Sequence, residues 1–239
     1  MTEQIYRADA YARDTVAKVL AVNEHGGIVL DRTVFYASAG GQPGDRGVLR
    51  FEGGECPIAT TVYDADKTTI VHVAAEGAPR PVVGASVTAA LDWEQRQKFM
   101  RMHTAMHLLC SLVKFPVTGG QISAEESRID FDIEDASAVD RDKLTTDLNA
   151  LIVANHPVSE RWITDAELDA NPGLVRTMSV APPRGSGRIR LVLIGEGGSI
   201  DMQPCGGTHV KATGEIGPVV VTKIEKKGKI NRRIRVAFA

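Results

Sequence analysis

The chain has 239 residues, 43% hydrophobic and 24% charged, with a formal net charge of −2. That length can bury one large core or two modest ones, and the composition excludes a disordered or fibrous chain. No apolar run approaches a membrane span, no secretory signal opens the N-terminus, and three scattered cysteines exclude a disulfide framework, so a reducing, cytoplasmic setting is expected.

Residues 1–90 read as β-rich. Short runs at 15–22, 27–30, 47–51, 58–62, 69–73 and 86–91 are broken by Gly, Pro, Asn or Asp, a pattern that predicts a small barrel or sandwich. Asp92, with Gln95 three residues on, predicts a capping box opening a helix that Pro116 ends. Phe99, His103, Met106, His107 and Cys110 fall on one stripe of that helix. Ile129, Phe131 and Ile133 alternate with charged residues, predicting a strand over 127–134. Leu144, Leu148, Leu151 and Ile152 predict a second helix over about 139–155, and Thr164 with Glu167 predicts a capping box before a short one. Strands follow at 188–194 and 216–224, with 232–238 returning as a hairpin partner. The whole reads as α+β: an N-terminal small β-barrel-like domain over 1–90, then a mixed α/β domain over 91–239.

Two pairs of metal-ligand residues stand about a hundred residues apart, His103-Thr-Ala-Met-His107 and Cys205-Gly-Gly-Thr-His209. Positions i and i+4 share one helix face, so both imidazoles of the first pair can meet one ion. Gly206 and Gly207 suit the second pair to a tight loop. Three imidazoles and a thiolate form a set that zinc accepts at tetrahedral angles. A zincin needs Glu after the first His, where this chain has Thr104, and the inverted form needs Glu before the second, where it has Met106. Cys110 lies seven residues from His103, roughly 10 Å along a helix axis, and is read as core.

The segment Thr33-Val-Phe-Tyr-Ala-Ser-Ala-Gly-Gly-Gln-Pro-Gly-Asp-Arg-Gly47 lacks the ending of a phosphate-binding P-loop. It reads either as tight turns with Gly40, Gly41, Gly44 and Gly47 at unusual dihedrals, or as a stiff ligand-facing loop with Gln42 and Asp45 as polar tips. Near the C-terminus, Lys223, Lys226, Lys227, Lys229, Arg232, Arg233 and Arg235 stand against one local acid, Glu225. Such a run is either a phosphate-backbone footprint or a solvated hairpin.

Taken together these motifs resemble the AlaX family of freestanding editing proteins, which are similar to the editing domain of alanyl-tRNA synthetase. The resemblance runs over nearly the whole chain, through Thr33–Gly47, Arg101–Leu109, Arg128-Ile-Asp-Phe-Asp132 and Pro204–Gly217, and is to the medium-length class. It implies one zinc per chain, held by His103, His107, Cys205 and His209, in the second, editing domain. It implies tRNA as partner, bound by a monomer or homodimer, and hydrolysis of the ester in tRNA for alanine mischarged with serine, with glycine as a second case. Sparing alanine needs a polar group left unpaired when the serine hydroxyl is absent. Thr104, Gln121 in a Gly119-Gly-Gln turn, and Gln203 are the candidates for this catalytic discrimination, although Thr104 has the alternative of bonding back to a helix carbonyl. Gly40, Gly41, Gln42, Asp45, Arg128, Gly206 and Gly207 are the expected substrate-binding positions, joined by Lys226, Lys227 and Lys229. The closed four-ligand shell leaves open a second reading, a non-catalytic zinc-dependent RNA-binding module.

Overall fold

The computed structural model describes residues 2–178, 187–228 and 230–239. The chain divides into two compact units, Met1–Phe99 and Met100–Ala239, and the division falls inside one long helix. No helix among the described residues is long and apolar enough to cross a membrane.

The first unit opens with β1 (Glu3–Gln4) and a single helical turn, α1 (Ile5–Ala8). Then come β2 (Asp14–Val22), β3 (Ile28–Leu30), β4 (Arg32–Thr33), β5 (Gly47–Phe51), β6 (Gly54–Tyr63), β7 (Ile70–Ala74) and β8 (Ser86–Leu91). β1 pairs in parallel with β4, and the other six close a barrel in the order β2-β3-β7-β6-β5-β8. The expected strands and barrel are therefore present. Closure follows from period-two alternation: in β8, Val87, Ala89 and Leu91 point inward, where they meet Ala17, Val19, Leu30, Leu49 and Ile58. His72 is fully buried in this unit, with Nδ1 on the Ile28 carbonyl at 3.0 Å and Nε2 on Thr33 Oγ1 at 2.8 Å. Burial pushes its pKa down to about 4, so it is a neutral core histidine.

The glycine-rich segment bears out its turn reading in part and corrects the rest. Gly40 and Gly41 do have positive φ, 56° and 86°, and form an exposed tip. Gly44 and Gly47 do not. They are glycine because a Cβ would lie 1.8 Å from the Thr61 carbonyl oxygen and 2.3 Å from that of Ala90. Gln42 and Asp45 are not polar tips but buried. Asp45 accepts the Tyr36 N–H at 2.6 Å and the Arg96 Nε at 3.1 and 3.0 Å, while the same guanidinium donates to the carbonyls of Ala10 and Val34 at 2.8 and 2.7 Å. The segment is thus clamped by a buried ion pair in which each guanidinium nitrogen has a hydrogen-bond partner.

Helix α2 (Trp93–Leu112) begins where expected. Asp92 caps it by accepting the Gln95 N–H at 3.2 Å, but the reciprocal half of the predicted capping box is absent because the Asp92 N–H is taken by the Arg46 carbonyl at 2.8 Å.

The second unit continues with β9 (Val117–Gln121), β10 (Glu126–Asp132), α3 (Arg141–Val153), β11 (Val158–Ile163), α4 (Asp165–Asp169), β12 (Ile189–Ile194), β13 (Asp201–Pro204), β14 (Val219–Lys227) and β15 (Asn231–Phe238). One sheet runs β14-β15-β10-β9 and another β11-β12-β13. Gly119-Gly-Gln121 is a strand and not a turn, because its backbone pairs with Ile129 and its neighbours on β10. Asp140 caps α3 through the Lys143 N–H, so this helix starts two residues later than its apolar spacing suggested. It lies along β14, where the Asn149 carboxamide spans the N–H and C=O of Val219 at 3.0 and 2.7 Å. The capping box at Thr164 and Glu167 is complete.

Replacing Asp45 with Asn should leave Arg96 charged and buried without its counter-ion. Chemical denaturation should show a loss of about 3–5 kcal/mol; a loss below about 1 kcal/mol would contradict the clamp.

Candidate metal centre

One face of α2 and one loop meet in the second unit. His103 and His107 project from α2 one turn apart, with ring centroids 5.3 Å from each other. His209 closes on both, at 4.3 and 4.6 Å between centroids. Cys205 Sγ lies 3.5 Å from His103 Nε2 and 3.4 Å from His209 Nε2. One donor atom from each of the four falls within 4.8 Å of the others, so the group can hold a metal ion. Bonds of about 2.3 Å to sulfur and about 2.0–2.1 Å to nitrogen at tetrahedral angles give a sulfur–nitrogen edge of about 3.5 Å. The observed separations match that edge, and the donor set suits a tetrahedral ion such as zinc.

The loop is shaped from outside by Arg190. Its Nη1 donates to the carbonyls of Cys205 and Gly207 at 3.1 and 2.8 Å, and its own carbonyl accepts the Cys205 N–H at 3.1 Å. The Gly207 N–H approaches the Cys205 sulfur at 3.4 Å, the polarity expected beside a thiolate. Apart from its chain neighbours, a Cβ on Gly206 would meet nothing within 4 Å, so space opens at this position of the loop.

Each of two imidazoles is held from behind. His107 Nδ1 donates to Asp201 Oδ2 at 2.9 Å, and Gln203 Nε2 donates to the same oxygen at 2.9 Å. The 3.2 Å approach of Gln203 Nε2 to His107 Nδ1 is therefore two donors converging on one acceptor. Asp201 and Gln203 both face this way because they alternate along β13. Behind His209, Nδ1 meets Thr104 Oγ1 at 3.1 Å. An ion bound at Nε2 would leave Nδ1 to carry the proton and donate. Thr104 Oγ1 also accepts the Val210 N–H at 3.3 Å and donates to the Met100 carbonyl at 2.9 Å. Its one hydrogen and both lone pairs are then occupied, so Thr104 orients His209 and has nothing left with which to read a substrate hydroxyl.

Electrostatics agree with a thiolate among imidazoles. Burial alone would raise the Cys205 pKa, but the charge of His103 and the hydrogen bonds of His103 and His107 hold it well below its ordinary value. Burial alone would lower that of His107, but Asp201 and the Cys205 sulfur outweigh it and raise it to about 9. His209 is pushed well down, by burial first and then by the charge of His103. Cys110 is pushed up to about 12, chiefly by burial, and is not among the four converging residues.

Two family models match parts of the chain: "Threonyl and Alanyl tRNA synthetase second additional domain" over 189–235, which includes Cys205 and His209, and "tRNA synthetases class II (A)" over 4–95, in the first unit. Across its length the chain is 36% identical to the alanyl-tRNA editing protein AlaX-M of Methanosarcina acetivorans, covering 98% of both chains. The chain belongs to the AlaX-M family of alanyl-tRNA editing proteins. The family member of Methanosarcina mazei is 35% identical over 98% of this chain and 95% of its own. The alanine–tRNA ligase of Pyrobaculum arsenaticum is 36% identical over 94% of this chain, which spans 25% of that ligase.

Other sequence-predicted residues sit elsewhere. Gln121 is exposed on β9, where its oxygen accepts Arg128 Nε at 3.3 Å, and Arg128 Nη1 also donates to Asp130 at 2.8 Å. The C-terminal basic run is less free than its local composition implied. Arg233 makes a bidentate pair with Asp130, Arg235 bridges Glu225 and Glu126, and Arg232 is buried on the Glu134 carbonyl. Lys226 and Lys227 stay exposed, the latter 3.6 Å from Glu225, and Lys229 lies outside the described residues. Two residues that hold the candidate site together went unread in the sequence, Asp201 and Arg190. Asp201 had a signal, its place two and four residues before Gln203 and Cys205 on a strand; Arg190 had none without the strand register.

Two outcomes are expected for metal binding. Cys205→Ala should abolish tight binding in a chelator competition, while Cys110→Ala should retain it. Because an ion must displace the proton that His107 holds up to about pH 9, apparent affinity should rise by about one decade per pH unit from pH 7 and flatten above 9. In the metal-free protein the sign is opposite: that proton stabilises the fold fully below the ordinary value of 6.5, and its contribution is lost as pH rises through about 9. A flat affinity profile between pH 7 and 9 would contradict the assignment.

Proposed function

We propose that this protein hydrolyses the ester of tRNA for alanine mischarged chiefly with serine, with the glycine-charged form as a second substrate. The convergence of His103, His107, Cys205 and His209 on one point is the single observation that supports this reading most, together with membership of an editing family. These four residues would hold one zinc ion, which when bound supplies positive charge for orienting and polarising the ester.

The chain's own residues do the rest. Asp201 and Thr104 keep His107 and His209 in one tautomer and orientation, and Arg190 holds the loop so that the Cys205 sulfur faces the imidazoles. The open space at Gly206 admits the ester beside that sulfur, and Gly207 keeps the loop tight. Exposed Gly40 and Gly41 and the cations Lys226 and Lys227 are further places for the nucleic acid.

Selection for serine needs a buried polar group with spare capacity. Thr104 has none, and Gln121 is exposed and engaged by Arg128. Gln203 is 8% exposed and commits its Nε2 to Asp201, which leaves its carboxamide oxygen as the group to meet a substrate hydroxyl. It is the residue best suited to pair with the serine hydroxyl and to be left unpaired by alanine.

Purified protein should deacylate serine-charged tRNA for alanine, act on the glycine-charged form and spare the alanine-charged form. Gln203→Leu should cut the serine-over-alanine preference roughly ten-fold or more while keeping metal, the effect of one buried hydrogen bond. Equal rates on serine and alanine, or none on either with metal bound, would favour the non-catalytic RNA-binding module.

A further inference from the structure

The sheet β11-β12-β13 has two unlike faces. Ile163, Ile189, Leu191 and Leu193 line one and pack with Leu168 of α4. The other face includes the metal centre. Residues opposite each other on neighbouring strands point to the same side. Glu160, Val192 and Gln203 form one such row, and Trp162, Arg190 and Cys205 the next, the last pair joined by the Cys205 N–H on the Arg190 carbonyl. Side chains agree with this register, since the Arg190 guanidinium touches Glu160 on one side and the Cys205 and Gly207 carbonyls on the other.

Trp162 therefore stands on the metal side of the sheet, two strands from the Cys205 backbone. Two strand spacings are about 10 Å, a distance that a ribose and its base can bridge from an ester at the sulfur. The indole is 43% exposed, although a large aromatic on a strand is normally covered. Arg190, whose side chain is only 11% exposed, fills the row between indole and sulfur and cannot itself reach out to a ligand. What is left open along the row is the aromatic face at one end and the space at Gly206 at the other.

We propose that Trp162 is the stacking platform for the base of the terminal nucleotide whose ribose holds the ester. This rests on the functional reading above and extends it, giving the site a nucleobase subsite next to its metal. An aromatic plane suits the task because a single-stranded end offers an unpaired π-face, and one stacked base is worth roughly ten-fold or more in affinity. The occupant is the adenine of an adenosine-ended RNA; self-association through the open edge of β11 is the competing occupant.

The test uses the metal-loaded protein, a short single-stranded RNA ending in adenosine, and the same RNA with an abasic last residue. The wild type should bind the first roughly ten-fold more tightly and show quenched indole fluorescence, a signal missing in Trp162→Phe. Trp162→Leu, which keeps an apolar surface but no ring, should bind both RNAs alike, while Trp162→Phe keeps part of the difference. On a serine ester of adenosine, Trp162→Leu should raise KM roughly ten-fold with kcat and metal content unchanged, as expected for binding shared by ground and transition states. A Leu variant that keeps the full preference for the adenosine end would overturn the proposal. So would a dimer in sedimentation that the same variant dissolves. If the wild type discriminates the two RNAs but hydrolyses no ester, the platform stands and the editing reading fails.

Discussion

The second unit is organised around an electrostatic problem: one thiolate and three imidazoles held within 4.8 Å of each other, all largely out of water. Left alone, three histidines in that space repel as soon as two are protonated, and a buried thiolate without cations is costly. The pKa directions record the compromise reached without an ion, with His107 protonated against Asp201, Cys205 ionised and His209 driven neutral. A divalent ion resolves the conflict at once, since it needs neutral imidazoles and an ionised sulfur. Asp201 and Thr104 already stand on the far nitrogens of His107 and His209, the arrangement that metal-binding imidazoles need.

Positioning follows from regular elements and not from the loop alone. Helical spacing places two candidate ligands on α2, and strand alternation aims Asp201 and Gln203 at the same point from β13. Arg190, on the middle strand, ties the glycine loop to the sheet through two carbonyls. A site held by a helix, a strand and a guanidinium clamp is more exact than one borne by a free loop. The barrel unit solves its own problem in a parallel way, since the buried Arg96–Asp45 pair clamps the glycine-rich segment much as Arg190 clamps the metal loop.

What could be read in the sequence was what depends on local period. The i, i+4 histidines, the alternation of β10, and the Thr164 capping box each need only neighbours along the chain. What could not be read depends on strand register. Arg233 and Arg235 looked like free cations until β10 placed Asp130 and Glu126 beside them. Gly44 and Gly47 looked like turn glycines but serve close backbone approach to residues 17 and 43 positions away. Asp45 looked like a loop tip because its partner, Arg96, is 51 residues on. Thr104 could be placed beside the centre, yet its exhaustion by three hydrogen bonds is visible only with Val210 and His209 in position.

The central claim is that a single ion binds three imidazole nitrogens and one cysteine sulfur. X-ray absorption at the metal edge of the zinc-loaded protein measures this shell directly. The account predicts one sulfur at about 2.3 Å and three nitrogens at about 2.0–2.1 Å. A shell of oxygens and nitrogens without sulfur, or two or more sulfurs per ion, would contradict it.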